Sequence, residues 1–167
     1  MTSNLTQVYE KESGRIWSLI GGLSEHDLRR PIRDDGWSAF QIAAHLSTST
    51  RGLTYLARVS LKPGGFQAQP GGPGSADFNL EEWNHAQNAE WSEKSLDELR
   101  AAWDETAKAF AAFVAGLSDA DLDREISTPM GQQMQLSNLL SMITMHLRIH
   151  RQEIERGLAG DSTPIQH

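Results

Sequence analysis

The hydrophobic and polar positions of the chain predict several long helices. In a helix, residues three and four apart share one face, and four stretches carry apolar residues at that spacing. The first covers about residues 5–19 and is ended by two glycines. The second covers about residues 38–61 and begins with a capping box formed by Ser38 and Gln41. Both segments are therefore predicted to bury one side against other helices.

Two further helices are predicted in the second half of the chain. The third covers about residues 80–116, with another capping box, formed by Ser95 and Glu98, inside it. The fourth begins at a cap near Ser137 and ends at one of the two glycines within residues 157–160. No segment shows convincing strand alternation. The predicted fold is therefore all-α, an antiparallel four-helix bundle.

A repeated linker indicates that this bundle consists of two similar helical hairpins. The first and third helices are both followed by Gly-Leu-Ser-acidic-x-Asp-Leu, at residues 22–28 and 116–122. After each linker comes a helix that carries a histidine, His45 in one half and His146 in the other. This order predicts a pseudo-twofold relation with the histidines facing each other. Internal duplication and convergent use of a common linker explain the repeat equally well.

The Gly- and Pro-rich segment 62–79 separates the second helix from the third. Unstructured connections of this length are uncommon in compact domains, and many are lids or mobile loops. Phe66 and Phe78 could help to cover a pocket, although a plain flexible connector is the simpler interpretation. Residues 1–160 are predicted to form one domain, and residues 161–167 a flexible tail.

The composition argues against several classes of partner and chemistry. The 167 residues carry a net charge of −7 and contain no basic run, so neither nucleic acid nor an anionic membrane is expected as main partner. No apolar stretch approaches the roughly 20 residues that span a bilayer. The N-terminus lacks the pattern of a signal peptide, and we expect a cytoplasmic protein. The chain has no cysteine, so any thiol must come from outside.

Histidines are the main candidates for chemistry. His146 and His150 are four residues apart in the fourth helix, so both imidazoles lie on one helix face and can reach one ion. A third histidine from a packed neighbouring helix would complete a three-nitrogen site, and His45 lies in an upstream helix. Such a site would keep coordination positions open, which is typical of catalytic rather than structural metal sites.

Each of these histidines also has an ordinary structural interpretation. His45 lies in an apolar stretch and could be a core histidine bonded to a backbone carbonyl, and a pair four residues apart can arise by chance. Two details favour a metal site. Glu153 shares the face of the pair, and neighbouring apolar residues indicate a buried helix in which imidazoles need partners. His85 could line a pocket, but an exposed or structural role is favoured.

These motifs resemble those of the DinB-like metal-binding four-helix bundles. That superfamily also includes mycothiol- and bacillithiol-dependent S-transferases and the metal-binding domain of mycothiol-dependent maleylpyruvate isomerase. The resemblance covers nearly the whole chain in length and order. The matching pieces are Gly36-Trp37-Ser38, Ala44-His45-Leu46 and His146-x-x-x-His150-Arg151-x-x-Ile154.

The resemblance implies a divalent ion held by His45, His146 and His150, with the remaining positions open to water or substrate. Imidazole ligands suit zinc, nickel, iron and copper, and manganese is a further candidate, so the identity of the ion stays open. The resemblance also implies that small molecules are the substrates, and it is consistent with a homodimer.

Glu153 is the candidate catalytic residue. The family often has glutamine at this position, so the carboxylate departs from the common pattern. It could be a fourth ligand, an acceptor for the hydrogen of a ligand imidazole, or a proton shuttle. It could equally be a salt-bridge partner of Arg151 or Arg156.

Three functions are compatible with these residues. The first is a metal-dependent S-transferase or isomerase that uses an external low-molecular-weight thiol as co-substrate, or a hydrolase that activates water at the same ion. The second is a stress-related binding protein that holds a metal or small ligand without turnover. The third is a purely structural bundle whose core histidines are satisfied by other groups.

Overall fold

Four long helices build the structure, a computed structural model that describes residues 2–161 and residue 163. The elements, in chain order, are α1 Thr2–Ile20, α2 Glu25–Arg29, α3 Ala39–Ser60, α4 Leu80–Ala89, α5 Leu96–Ala115, α6 Asp119–Leu122, β1 Glu125–Ser127, β2 Gln133–Gln135 and α7 Leu136–Leu158. The predicted all-α bundle is confirmed, with α1, α3, α5 and α7 as its long helices. No described helix is long and apolar enough to cross a membrane. Most of the predicted tail, residues 161–167, lies outside the described residues.

One hydrophobic core joins the four long helices. α1 packs on α5 and α7, and α3 packs on the same two helices, so each helix contributes one apolar face to a shared centre. Burying a large side chain of this kind contributes about 1.5–3 kcal/mol. The largest fully buried side chains include Tyr9, Ile16, Phe40, Trp103 and Phe110.

Capping residues set the start of two of these helices. Ser38 Oγ accepts from the Gln41 backbone N at 3.2 Å, and Gln41 Oε1 accepts from the Ser38 N at 3.0 Å, as the sequence predicts. The box at Ser95 and Glu98 is also present, but it starts a separate helix. The prediction of one continuous third helix is therefore wrong. An N-cap residue is extended, with φ −80° and ψ 165° at Ser95, and cannot lie inside a helix.

The start of α7 is set by strand pairing rather than by a side chain. The predicted cap near Ser137 is wrong, because the N-cap is Gln135 and it makes no side-chain cap hydrogen bond. The backbone N of Leu136 instead donates to the Arg124 carbonyl at 2.9 Å, next to the strand pair. At its other end, α7 continues through Gly157 and ends one residue later.

A short β-hairpin before α7 corrects the prediction that the chain has no strands. β1 pairs antiparallel with β2, and Ile126, which is buried, stands opposite Met134. Three residues per strand are too few for alternation to stand out in the sequence. The hairpin also anchors the Gly- and Pro-rich segment 62–79, since the Gly74 N donates to the Pro129 carbonyl at 2.5 Å.

A buried carboxylate ties α1 to α7. Glu12 is 2% exposed and accepts from Arg151 Nε at 2.8 Å and from Arg15 Nη1 at 3.1 Å. Arg148 Nε lies 3.8 Å from the same carboxylate. A buried charge is costly unless it is paired, so these arginines compensate for its burial and hold the two helices in register.

Gly157 allows α7 to approach the link before α3, and this contact predicts a stability effect. A Cβ at Gly157 would lie 2.5 Å from the Ile32 carbonyl oxygen. Gly157→Ala is expected to lower the free energy of unfolding by about 1–3 kcal/mol, because backbone must move to relieve the overlap. Gly14→Ala on α1, where no atom lies within 4 Å of the new Cβ, is the control. It should stabilise by up to about 1 kcal/mol in urea denaturation, and equal effects would contradict the close packing.

The buried Tyr9 hydroxyl predicts a loss of stability at alkaline pH. Burial raises its pKa from 10.0 to about 12, and the neighbouring Thr50 side chain opposes this only in part. The folded state therefore disfavours the phenolate. The stabilisation of the folded state by the neutral Tyr9 hydroxyl is fully present below about pH 10. It is lost between about pH 10 and 12, by roughly 2–3 kcal/mol. Tyr9→Phe should remove this loss, measured as unfolding free energies at about pH 8 and pH 11.5. An equal fall in the unfolding free energy of the wild type and of Tyr9→Phe between these pH values would refute this role of Tyr9.

Candidate metal centre

Three histidines meet where α3 packs on α7. His45 lies on α3, and His146 and His150 lie one turn apart on α7. His45 and His150 are buried, whereas His146 is half-buried. Helix packing thus brings together side chains that are 101 residues apart in the chain. These are the same three histidines that the sequence singles out.

The Nε2 atoms of these histidines face one another. His146 Nε2 lies 3.2 Å from His45 Nε2 and 2.9 Å from His150 Nε2. One ring nitrogen from each of the three lies within 4.8 Å of the others. Nitrogens bound at about 2.0–2.1 Å to one tetrahedral ion are roughly 3.3 Å apart. The observed spacing therefore fits a single ion between the three rings.

The electrostatics of the cluster also suit a cation. A neutral imidazole has one donor and one acceptor nitrogen, and acceptor nitrogens that face each other repel unless a cation or a proton lies between them. His150 Nδ1 lies 2.6 Å from Glu153 Oε2. An ionised carboxylate only accepts, so with Glu153 ionised and His150 neutral this Nδ1 carries the hydrogen and His150 Nε2 presents its lone pair to the cluster.

Glu153 is itself held by an ion pair. Its side chain is 2% exposed, and Arg33 Nη1 donates to its Oε2 at 3.1 Å. Arg33 also donates to Asp35, from Nε at 3.1 Å and from Nη2 at 2.6 Å. The contacts therefore run from Asp35 near the surface through Arg33 and Glu153 to His150. Arg33 compensates for the burial of the carboxylate, which would otherwise be costly.

The position of Glu153 distinguishes between the roles that the sequence leaves open for it. The carboxylate lies at Nδ1 of His150, on the side of the ring away from Nε2. The geometry therefore favours the role of acceptor for an imidazole over that of a fourth ligand. Arg33 donates to Glu153, whereas Arg151 and Arg156 donate to other carboxylates. No sequence signal links Arg33 to Glu153, because they are 120 residues apart.

A tight turn before α3 positions Arg33 beside Trp37. Gly36, with φ +89°, allows the chain to reverse, and the backbone N atoms of Ile32 and Arg33 both donate to the Trp37 carbonyl. The Arg33 guanidinium then lies 4.8 Å from the centre of the Trp37 ring. The same ring lies edge-on to His45 at 5.2 Å between centroids. This tight turn therefore supplies two contacts to the site: Arg33 donates to Glu153, and Trp37 packs against His45.

His85 stands at the edge of this arrangement. It is exposed on α4, and its ring is 6.2 Å from that of Trp37, whose ring also contacts His45. It does not belong to the group of ring nitrogens that converge in the described part of the chain. The exposed position agrees with the interpretation that the sequence favours.

The fold and the cluster together define a helical-bundle protein with a candidate metal centre. A family model of the DinB superfamily matches residues 9–154, so the chain belongs to that superfamily. This confirms the resemblance noted from the histidine motifs. Among curated proteins, no sequence matches the chain.

Two solved structures of similar fold are those of YfiT and of a maleylpyruvate isomerase. YfiT from Bacillus subtilis, described as a probable metal-dependent hydrolase with an unusual four-helix bundle topology, matches with TM-score 0.72 and 18% identity. The match covers 93% of this chain and 85% of YfiT. The mycothiol-dependent maleylpyruvate isomerase matches with TM-score 0.72 and 14% identity, over 92% of this chain but 60% of the isomerase. At these identities the similarity shows the fold alone.

The contact between Glu153 and His150 predicts a change in metal affinity. Glu153→Gln removes the charge that faces Arg33 and weakens the acceptor for His150 Nδ1–H. We expect divalent-metal affinity to fall by about 10- to 100-fold, with helical content retained. Competition with a chelating dye measures this. Glu155→Gln on the same helix, whose carboxylate pairs with Arg151, is the control and should leave the affinity unchanged. Equal divalent-metal affinities in the two variants would show that Glu153 does not support metal binding.

Proposed function

We propose that this protein is a metal-dependent enzyme that uses an external low-molecular-weight thiol to carry out S-transfer or isomerisation on a small molecule. The proposed ligands of the ion are His45, His146 and His150. The observation that carries the proposal is the convergence of three imidazole nitrogens from α3 and α7. A divalent ion would supply Lewis-acid chemistry there, because it favours the deprotonated form of a thiol or a water molecule.

The number of ligands supports catalysis rather than a structural ion. Within the described residues, the group of converging side chains contains three histidines and no carboxylate. Structural metal sites are commonly closed by four protein ligands, whereas catalytic sites use three and keep a position open. His146 is half-buried, so this side of the cluster is not sealed from solvent.

The surrounding residues of the chain would hold the ligands in place. Glu153 accepts from His150 Nδ1 and so fixes the tautomer in which Nε2 carries the lone pair. Arg33 neutralises that buried carboxylate. Trp37 packs against the ring of His45 and restricts its orientation. Each proposed role follows from one contact and acts on a different part of the cluster.

The source of the proposed thiol follows from the absence of cysteine in the chain. With no cysteine, it cannot supply a sulfur nucleophile, so a thiol reaction at this site needs a thiol from solution. The fold similarity to a mycothiol-dependent isomerase supports the same idea. The chain spans 60% of that isomerase, so the activity of the whole isomerase is carried over only as part of this proposal.

Hydrolysis is the second candidate. The match to YfiT, described as a probable metal-dependent hydrolase, covers 85% of that protein and therefore more of its length than the match to the isomerase. The same three histidines would serve, with water in place of the thiol. The two candidates differ in one observable, which is whether turnover depends on the concentration of added thiol.

Residues 1–160 are proposed to form a single domain, because one core includes buried side chains from Leu5 on α1 to Ile154 on α7. A homodimer is proposed on the family resemblance alone. Sedimentation of the full chain decides the oligomeric state, and a monomer at all concentrations would remove that part of the proposal.

Metal content tests the ligand set. Protein purified without chelator or affinity tag is expected to hold about one divalent ion per chain. His45→Ala and His146→Ala should each lose most of it while keeping their helical content, because an ion bound by two imidazoles has lost a third of its protein ligands. His26→Ala, which changes an exposed histidine on α2, is the control. Full metal occupancy in His146→Ala would eliminate the proposed ligands.

The metal-loaded protein then separates the functions. Saturation kinetics in both a thiol and an electrophile would support the transferase or isomerase. Turnover of an ester or amide without added thiol would support the hydrolase instead. Stoichiometric metal with no turnover of either kind would leave a binding protein.

A further inference from the structure

Ser49 brings a hydroxyl next to the three-histidine cluster. It follows His45 by four residues on α3, so the two side chains are neighbours on one helix face. Ser49 Oγ lies 3.4 Å from His45 Nε2 and 3.4 Å from His45 Nδ1. Of these two nitrogens, Nε2 is the one that faces His146. An uncharged polar group of α3 therefore stands directly beside the candidate metal centre.

The two contacts of Ser49 with the His45 ring are not well-aligned hydrogen bonds. The two ring nitrogens direct their lone pair or hydrogen in diverging directions, so an oxygen equidistant from both is aligned with neither. A separation of 3.4 Å also exceeds the usual range of about 2.7–3.2 Å between nitrogen and oxygen. Other helical hydroxyls bond the carbonyl four residues back, at 2.6 Å for Thr54 and 2.9 Å for Ser18. In the described part of the chain the Ser49 hydroxyl makes no bond of that kind, and its hydrogen can serve another partner.

The Ser49 hydroxyl is too far from the expected ion position to be a ligand itself. An ion bound by His45 would lie about 2.0–2.1 Å outward from Nε2, along the nitrogen lone pair. An oxygen that is 3.4 Å from both ring nitrogens is roughly 4–5 Å from that point. A small molecule bound to the ion could therefore accept a hydrogen bond of ordinary length from this hydroxyl.

Ser49 lies on the side of the cluster away from Glu153. Glu153 pairs with Arg33, which precedes α3, whereas Ser49 is about three turns inside that helix. Ser49 and His146 are both half-buried, and Met142, one turn before His146 on α7, is 39% exposed. The Glu153 side chain, by contrast, is 2% exposed. The side that carries Ser49 is therefore the one that is open to solvent.

We propose that Ser49 is a ligand-binding residue that donates a hydrogen bond to the very atom with which a small molecule binds the metal ion. This inference rests on the proposed function, because it needs an ion at the three histidines. The accepting atom must keep a lone pair after it has bound the ion. The sulfur of a thiolate, the oxygen of water and the end nitrogen of azide do so, whereas the ring nitrogen of an imidazole does not.

Metal affinity shows whether Ser49 acts on the ion or on its ligand. Ser49→Ala should keep its helical content and should lower zinc affinity far less than His146→Ala does, measured by competition with a chelating dye. Ser18→Ala removes a bonded hydroxyl from α1, which carries none of the three histidines, and is the control. A loss of zinc affinity in Ser49→Ala as large as that in His146→Ala would overturn the inference, because Ser49 would then be needed to hold the ion.

Two probe ligands test the hydrogen bond itself. Azide and N-methylimidazole are titrated into cobalt(II)-loaded protein, whose visible absorption changes when a ligand binds the ion. Ser49→Ala should bind azide about 3- to 30-fold more weakly than the wild type does, since one hydrogen bond to the bound atom is lost. Its affinity for N-methylimidazole should not fall, and Ser18→Ala should match the wild type with both probes. An unchanged azide affinity in Ser49→Ala, or an equal loss for both probes, would overturn the inference.

Azide also separates the inference from the proposed function, because it is neither a thiol nor a substrate. If azide binding depends on Ser49 but neither a thiol reaction nor hydrolysis occurs, the proposed function fails and the role of Ser49 stands. If thiol-dependent turnover occurs while wild type and Ser49→Ala bind azide equally, the proposed function stands and the inference is overturned. A protein that binds no divalent ion would overturn both.

Discussion

The contact of three imidazole rings across the packing of α3 on α7 is the constraint on which the rest of the site depends. Ring nitrogens separated by 2.9 and 3.2 Å cannot all face one another as acceptors, so a hydrogen or a metal ion has to lie between them. The helices that carry them are fixed by a shared apolar core and, for α7, by the buried Glu12 with its arginines. Packing of the bundle therefore holds the three rings together.

A layer of polar contacts behind this cluster determines how the rings are presented. Glu153 orients His150 through Nδ1, and Arg33 compensates for the buried carboxylate. Arg33 stands beside Trp37, which contacts His45, so one turn before α3 supports histidines on two helices. Loss of that turn would disturb both sides of the cluster at once. The arginine partner gives a physical reason why a buried carboxylate is tolerated at position 153.

α4 stands apart from the apolar core of the bundle. The apolar core of the bundle includes buried side chains of α1, α3, α5 and α7, whereas the one buried residue of α4 is the polar Asn88. α4 belongs to no long-helix layer of the bundle and buries carboxamides rather than apolar side chains. A helix of this kind adds little to the apolar core.

Local signals were sufficient for much of this protein. The apolar repeats, the capping box at Ser38 and the four-residue spacing of His146 and His150 act within one or two helical turns, so the sequence alone determined α1, α3, α7 and the histidine face, but not the break between α4 and α5. Tertiary structure decided what depends on distant partners. Arg33 meets Glu153 across 120 residues, and strand pairing rather than a cap starts α7. Such contacts carry no periodic pattern, because their energy comes from burial and charge pairing that exist only after the helices have packed.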